Sequence, residues 1–63
     1  MNSYVIRVNN ATINIEGVNE YAAIKNLCIF GEPHMIEAIT ATDWIYQVEV
    51  NRQITLAYIK RVN

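Results

Sequence analysis

The stretch WIYQVEVNRQITLAYI, residues 44–59, decides the fold of this chain. Apolar and polar residues alternate on both sides of a polar triplet, Asn51-Arg52-Gln53, which predicts two antiparallel strands joined by a short turn. A two-residue turn would place Val50 opposite Gln53 and mix apolar with polar partners on each face. A three-residue turn gives one uniformly apolar face, which pairs Val50 with Ile54, Val48 with Leu56 and Tyr46 with Tyr58, and has Trp44 on the same side. We therefore predict the three-residue turn, with this face toward the core.

The opposite face of the same hairpin carries more apolar surface than one small core needs. It pairs Glu49 with Thr55, Gln47 with Ala57, and Ile45 with Ile59, so Ile45, Ala57 and Ile59 are left over. A single helix covers one side of a sheet, and the second side needs another cover, which is either segment 33–42 or a second subunit. We favour the second subunit. The predicted self-interface or partner-binding residues are Ile29, Ile45, Ala57 and Ile59.

The N-terminal residues SYVIRVNNATINIE, 3–16, predict a first hairpin with Asn9-Asn10 at its tip, because asparagine tolerates the positive φ of a tight turn. In this register Val8 faces Ala11, Ile6 faces Ile13, and Tyr4 faces Ile15. The other face pairs mainly polar residues. This alternation is typical of an antiparallel pair that is buried on one side.

The middle of the chain predicts one helix followed by a third strand. Asn19 is a good N-cap for a helix from about Glu20 to Phe30, whose end is marked by Gly31 and Pro33. Its apolar face contains Tyr21, Ala23, Ile24, Leu27, Cys28 and Phe30, and Ile29 lies on the polar side. Segment 33–42, PHMIEAITAT, is rich in β-branched residues and favours a strand from about Met35 to Ala41. A helix beginning at Pro33 is the alternative.

These elements predict a single α+β domain over residues 1–63, with a small antiparallel sheet and the helix packed on one of its faces. A chain of 63 residues buries barely enough surface to fold. One cysteine and one histidine cannot supply a disulfide or a zinc cluster within the chain. A hydrophobic fraction of 52% is high for so small a soluble monomer, and it predicts a homo-oligomer.

Composition also narrows the classes of function. The net charge is −1, and its charges are scattered, so we expect no duplex-DNA binding. The apolar runs are too short to cross a membrane, and the N-terminus has no signal-peptide pattern. We expect a cytoplasmic protein with no membrane partner.

We expect neither catalysis nor a cofactor. Cys28 and His34 are the only candidates for a nucleophile and its base, but they are separated by a helix end and a proline. Cys28 also lies on the predicted buried face, where cysteine serves as a small apolar residue. A chain of 63 residues leaves little volume for a pocket that would shift the pKa values of its six carboxylates apart, so we expect these carboxylates on the solvated surface, and we expect no metal site.

A second hypothesis is single-stranded nucleic-acid binding, because bases stack on aromatic side chains of a sheet that is flanked by cations. The residues for it are Arg7, Arg52, Lys60, Arg61, Tyr46 and Tyr58. In the predicted register these tyrosines point to the core side, so we do not expect nucleic acid as the first partner.

The order of hairpin, helix and sheet in a chain this short, without a catalytic set, resembles the general type of small phage or mobile-element proteins that bind and inhibit host factors. The resemblance implies a protein target and assigns no residue. We therefore predict a non-catalytic protein-interaction module that self-associates and inhibits or regulates a partner protein. A small-molecule sponge, with its ligand between subunits, is a minor alternative.

Overall fold

A computed structural model describes residues 1–27 and 31–63. These residues form five strands and one helix, in the order β1 Asn2–Val8, β2 Ala11–Gly17, α1 Glu20–Lys25, β3 His34–Thr40, β4 Asp43–Val50 and β5 Gln53–Arg61. The strands form one antiparallel sheet in the order β2-β1-β5-β4-β3, so β5 lies at its centre. Helix α1 packs on one side of this sheet, and the predicted α+β fold is confirmed.

The first hairpin has the predicted register. Val8 pairs with Ala11, Ile6 with Ile13 and Tyr4 with Ile15. Asn9 adopts a φ of 55°, as a tight turn requires. The polar and apolar alternation of these residues is sufficient to fix the pairing, because a slip of one residue would turn the apolar side chains toward water.

The predicted turn of the second hairpin is wrong. Val50 pairs with Gln53, so the turn has two residues, Asn51 and Arg52, with φ angles of 53° and 65°. Positive φ at both central positions is typical of the type I′ turn, whose twist matches that of the flanking strands. Compared with our prediction, β5 is shifted by one residue and its two faces are exchanged.

The core lies between α1 and the side of the sheet that we call the helix face. Tyr4, Ile6, Val8, Tyr46, Val48, Ala57 and Ile59 come from the sheet, and Ala23 and Ile24 come from the helix; all nine are buried. Trp44 is partly buried beside them, and its ring meets the Tyr4 ring edge-on, with 6.1 Å between centroids.

Helix α1 begins as predicted and is shorter than predicted. The Asn19 side chain caps it by accepting a hydrogen bond of 2.8 Å from the backbone N–H of Ala22. At Gly17, a Cβ atom would lie 2.8 Å from the backbone nitrogen of Ala23, so the close packing of helix on strand requires glycine there. The helix ends at Lys25, and the backbone N–H of Leu27 bonds to the carbonyl of Ile24 in a tighter turn. The rest of the predicted helix, Cys28 to Phe30, lies outside the described residues.

Segment 33–42 contains strand β3, His34–Thr40, which confirms the prediction of strand over helix. It pairs with β4 at the edge of the sheet, and its register shifts between Met35 and Glu37 and again between Ala38 and Thr40. As a member of the sheet, β3 does not lie over either of its faces. The described part of the chain contains no helix of the length and apolarity needed to cross a membrane.

Candidate interaction surface

The side of the sheet opposite α1 is the candidate functional surface, and we call it the open face. Directly paired residues of an antiparallel sheet point to the same side, so the register identifies its members. They are Ser3, Val5 and Arg7 of β1; Thr12, Asn14 and Glu16 of β2; His34, Glu37 and Thr40 of β3; Asp43, Ile45, Gln47 and Glu49 of β4; and Ile54, Leu56, Tyr58 and Lys60 of β5.

The centre of the open face is apolar and uncovered. Ile54, Leu56 and Tyr58 follow each other along the central strand, with 70%, 57% and 38% of their surfaces exposed. Ile45 lies beside Tyr58 on β4, and both Ile45 and Val5 are half-buried. Single exposed apolar residues are common, but a contiguous apolar group at the middle of a sheet is typical of a binding surface.

Charges of opposite sign lie on the two sides of this apolar centre. Arg7 pairs with Tyr58 on the β1 side, and Lys60 pairs with Val5 on that side and with Asp43 on the other. The acidic side chains Glu37, Asp43 and Glu49 belong to β3 and β4. The open face therefore has Arg7 on its β1 side, Lys60 on the central strand, and three carboxylates toward β3, while Glu16 lies at the far end of β2.

A hydrogen-bonded group fixes the Tyr58 ring on this face. The Tyr58 hydroxyl donates to Oδ1 of Asp43 over 3.0 Å, and the Thr40 hydroxyl donates to Oδ2 over 2.6 Å. Donation by Thr40, more than that by Tyr58, holds the pKa of Asp43 below its ordinary value, while the bond to Asp43 raises the pKa of Tyr58. Asp43 stays ionised and Tyr58 stays neutral, so the face presents an oriented aromatic ring.

The structure reassigns two of the four predicted interface residues. Ile45 does lie on the open face. Ala57 and Ile59 do not, because the two-residue turn directs them into the core, where both are 0% exposed. Ile29 lies outside the described residues.

The places of Ala57 and Ile59 on the open face are taken by Ile54, Leu56 and Tyr58, which the predicted three-residue turn assigns to the core. The preference of hairpins for two-residue type I′ turns is the signal that would have found them, since asparagine at the first turn position favours a positive φ.

Three of the six predicted nucleic-acid residues come together. Arg7, Tyr58 and Lys60 line a shallow depression of about 400 Å³ on the open face, with Val5 and Val62.

The other three do not join this group. Tyr46 is 3% exposed on the helix face, where its hydroxyl donates to Glu20 over 3.0 Å. Arg52 lies in the turn, and Arg61 donates from Nε to the carbonyl of Asn63. The depression therefore offers one aromatic ring and two cations.

The residues considered as catalytic or metal-binding candidates do not form a group on the open face. Cys28 is outside the described residues, and His34 is exposed at the start of β3. Among residues 1–27 and 31–63, no group of three potential metal ligands occurs. Glu32 forms an ion pair of 2.9 Å with Lys25 and accepts a hydrogen bond from Tyr21, and these contacts attach the segment before β3 to the helix.

Comparison of this chain with protein-family models, with curated proteins and with solved structures gave no match.

Proposed function

We propose that this chain is a non-catalytic protein-interaction module whose open face binds another polypeptide and thereby inhibits or regulates it. One observation supports the proposal: Ile54, Leu56 and Tyr58 form a contiguous row of exposed apolar side chains along the central strand of the sheet, and they face away from the completed core. Fully burying a large apolar side chain contributes about 1.5–3 kcal/mol, so covering Ile54, Leu56 and Tyr58 is worth roughly 2.5–5 kcal/mol.

The proposal includes a cytoplasmic location and the inhibitor role of small phage or mobile-element proteins. Binding would act by occupying a surface of the target, since an exposed apolar group with charged surroundings is suited to protein contact. Catalysis has no part in it, and neither does a cofactor.

A matched pair of substitutions tests the proposal. Leu56 and Met35 are 57% and 56% exposed, but Leu56 lies at the centre of the open face and Met35 pairs with Tyr46 on the other side of the sheet. Wild type, Leu56→Glu and Met35→Glu would each be immobilised and exposed to cell extract. A protein that is retained would then be purified and titrated calorimetrically against all three. We expect Leu56→Glu to abolish binding and Met35→Glu to preserve it.

Circular dichroism of each variant serves as the control for an intact fold. Ile54→Glu provides a second substitution on the open face. If the purified partner binds Leu56→Glu and Ile54→Glu as tightly as wild type, the open face is not the binding surface.

The convergence of Arg7, Tyr58 and Lys60 supports single-stranded nucleic acid as a second candidate for the same face. Two phosphate contacts predict that the logarithm of the binding constant falls with the logarithm of the salt concentration with a slope of about −1.4. Each phosphate contact on a single strand contributes about −0.7 to this slope. Fluorescence anisotropy with a labelled oligonucleotide at low salt would detect it, and Arg7→Glu should abolish the signal. Absence of binding at low salt removes this candidate.

A further inference from the structure

We infer that the polypeptide covering the open face of the isolated protein is a second copy of this chain, packed face to face about a two-fold axis parallel to β5. This inference rests on the proposed function, because it names an occupant for the same face. A partner protein and the second copy would then exclude each other.

The central position of β5 favours such a pair. A two-fold axis along β5 places this strand over its own copy, so Ile54, Leu56 and Tyr58 meet the same residues of the second subunit. Two packed sheets keep their strands within about 30° of each other at a separation of about 10 Å, which leaves one layer of interdigitated side chains. The apolar centre of the open face, which we call the seam where two copies meet, is therefore self-complementary, as an isologous interface requires.

The charges on the two sides of the seam select the direction of the axis. Rotation about an axis parallel to β5 places β1 of one subunit over β4 of the other, so Arg7 approaches the acidic side of its partner. Rotation about an axis across the strands would place β1 over β1 and β4 over β4, and like charges would then meet. Lys60 lies on β5 and meets its own copy in the first arrangement, where Asp43 of the neighbouring strand lies beside it in each subunit. Arg7 approaches the acidic side of the partner in the first arrangement only.

One ion pair follows from the register. Arg7, Tyr58, Ile45 and Glu37 form a row across the sheet. After rotation about β5, Arg7 lies over the second subunit's Ile45, and Glu37 is one strand away, about 4.8 Å to the side. Long arginine and glutamate side chains span this offset, and symmetry forms the pair twice.

The available area predicts a weak, reversible dimer. Five strands about 4.8 Å apart and seven residues of about 3.3 Å each give a flat face of about 440 Å² per subunit. Because side chains roughen this surface, the pair buries about 1,000–1,300 Å² in total, which is near the lower limit of specific interfaces.

Sedimentation equilibrium over a dilution series from about 1 mM to 1 µM tests the inference. We expect a monomer–dimer equilibrium for wild type and for Met35→Glu, and a monomer for Leu56→Glu. Arg7→Glu and Glu37→Lys should each weaken the dimer about three- to tenfold, as expected for exposed pairs formed twice. The double substitution Arg7→Glu with Glu37→Lys should return the constant to within about threefold of wild type.

Two results would overturn the inference. One is a wild type that remains monomeric at 1 mM. The other is a dimer that Arg7→Glu tightens, because this would place β1 over β1. The proposed function is tested separately. If wild type is monomeric and Leu56→Glu abolishes binding of the purified partner protein, the second copy is refuted as the occupant and the binding face is supported. If wild type is a dimer and no such partner is found, only the second copy is supported.

Discussion

Exchanging Ile59 and Leu56 for alanine, one at a time, tests the register on which the candidate surface depends. Ile59 is 0% exposed, pairs with Ile6 of β1 and packs in the core, whereas Leu56 is 57% exposed on the open face. Truncating a buried isoleucine to alanine costs about 2–5 kcal/mol through lost burial and the cavity that remains. We expect Leu56→Ala to cost less than about 1 kcal/mol in the monomer.

The free energy lost on Ile59→Ala is large relative to the total free energy of unfolding of the domain. A domain of this length has a free energy of unfolding of about 3–9 kcal/mol, at roughly 0.05–0.15 kcal/mol per residue. Ile59→Ala is therefore expected to remove about half of the stability. Ile59→Val, which costs about 0.5–1.5 kcal/mol, keeps the comparison measurable if the alanine variant does not fold.

Urea unfolding followed by tryptophan fluorescence, at protein concentrations where the chain is monomeric, measures these losses. Trp44 is partly buried against the core and reports its opening. The unfolding midpoint should fall far more for Ile59→Ala than for Leu56→Ala, at an unchanged denaturant slope. The reverse order would show that the turn has three residues and that Leu56 is in the core, and it would refute our assignment of the open face.

The remaining predictions concern the turn and the core tyrosine. Arg52→Gly should raise the free energy of unfolding by about 1 kcal/mol, because Arg52 has a φ of 65° and glycine relieves that strain. Gln53→Gly should lower the free energy of unfolding, because it removes strand propensity at the start of β5. Urea titrations that gave the opposite signs would favour a three-residue turn. Burial, and then the hydrogen bond to Glu20, raises the pKa of Tyr46 to about 12, above that of an unfolded tyrosine near 10. The stability that this pKa shift contributes is fully present below pH 10 and is lost as the pH rises toward 12. In urea titrations over that range, Tyr46→Phe should therefore lose stability less steeply than wild type. An identical loss in both proteins would refute the assignment.

The sequence by itself determined the first hairpin, the capped start of the helix and the α+β class. Each of these depends on signals between near neighbours: the alternation around Asn9 and Asn10, and the asparagine at position 19 that accepts a bond from the helix start. Strand β3 was also read correctly from its β-branched residues. Local patterns suffice here because a slip would expose apolar side chains with no compensation.

Only the tertiary structure decided which face of β5 is buried. Ile54, Leu56 and Tyr58 alternate with Thr55, Ala57 and Ile59, and a sequence with apolar residues on both sides of a strand fits either register. Packing against the helix, β1 and β4 selects Ala57 and Ile59 for the core, and the type I′ turn at Asn51 and Arg52 is compatible with that register because its twist matches the sheet. The larger apolar side chains are consequently left on the open face, where the interaction surface lies.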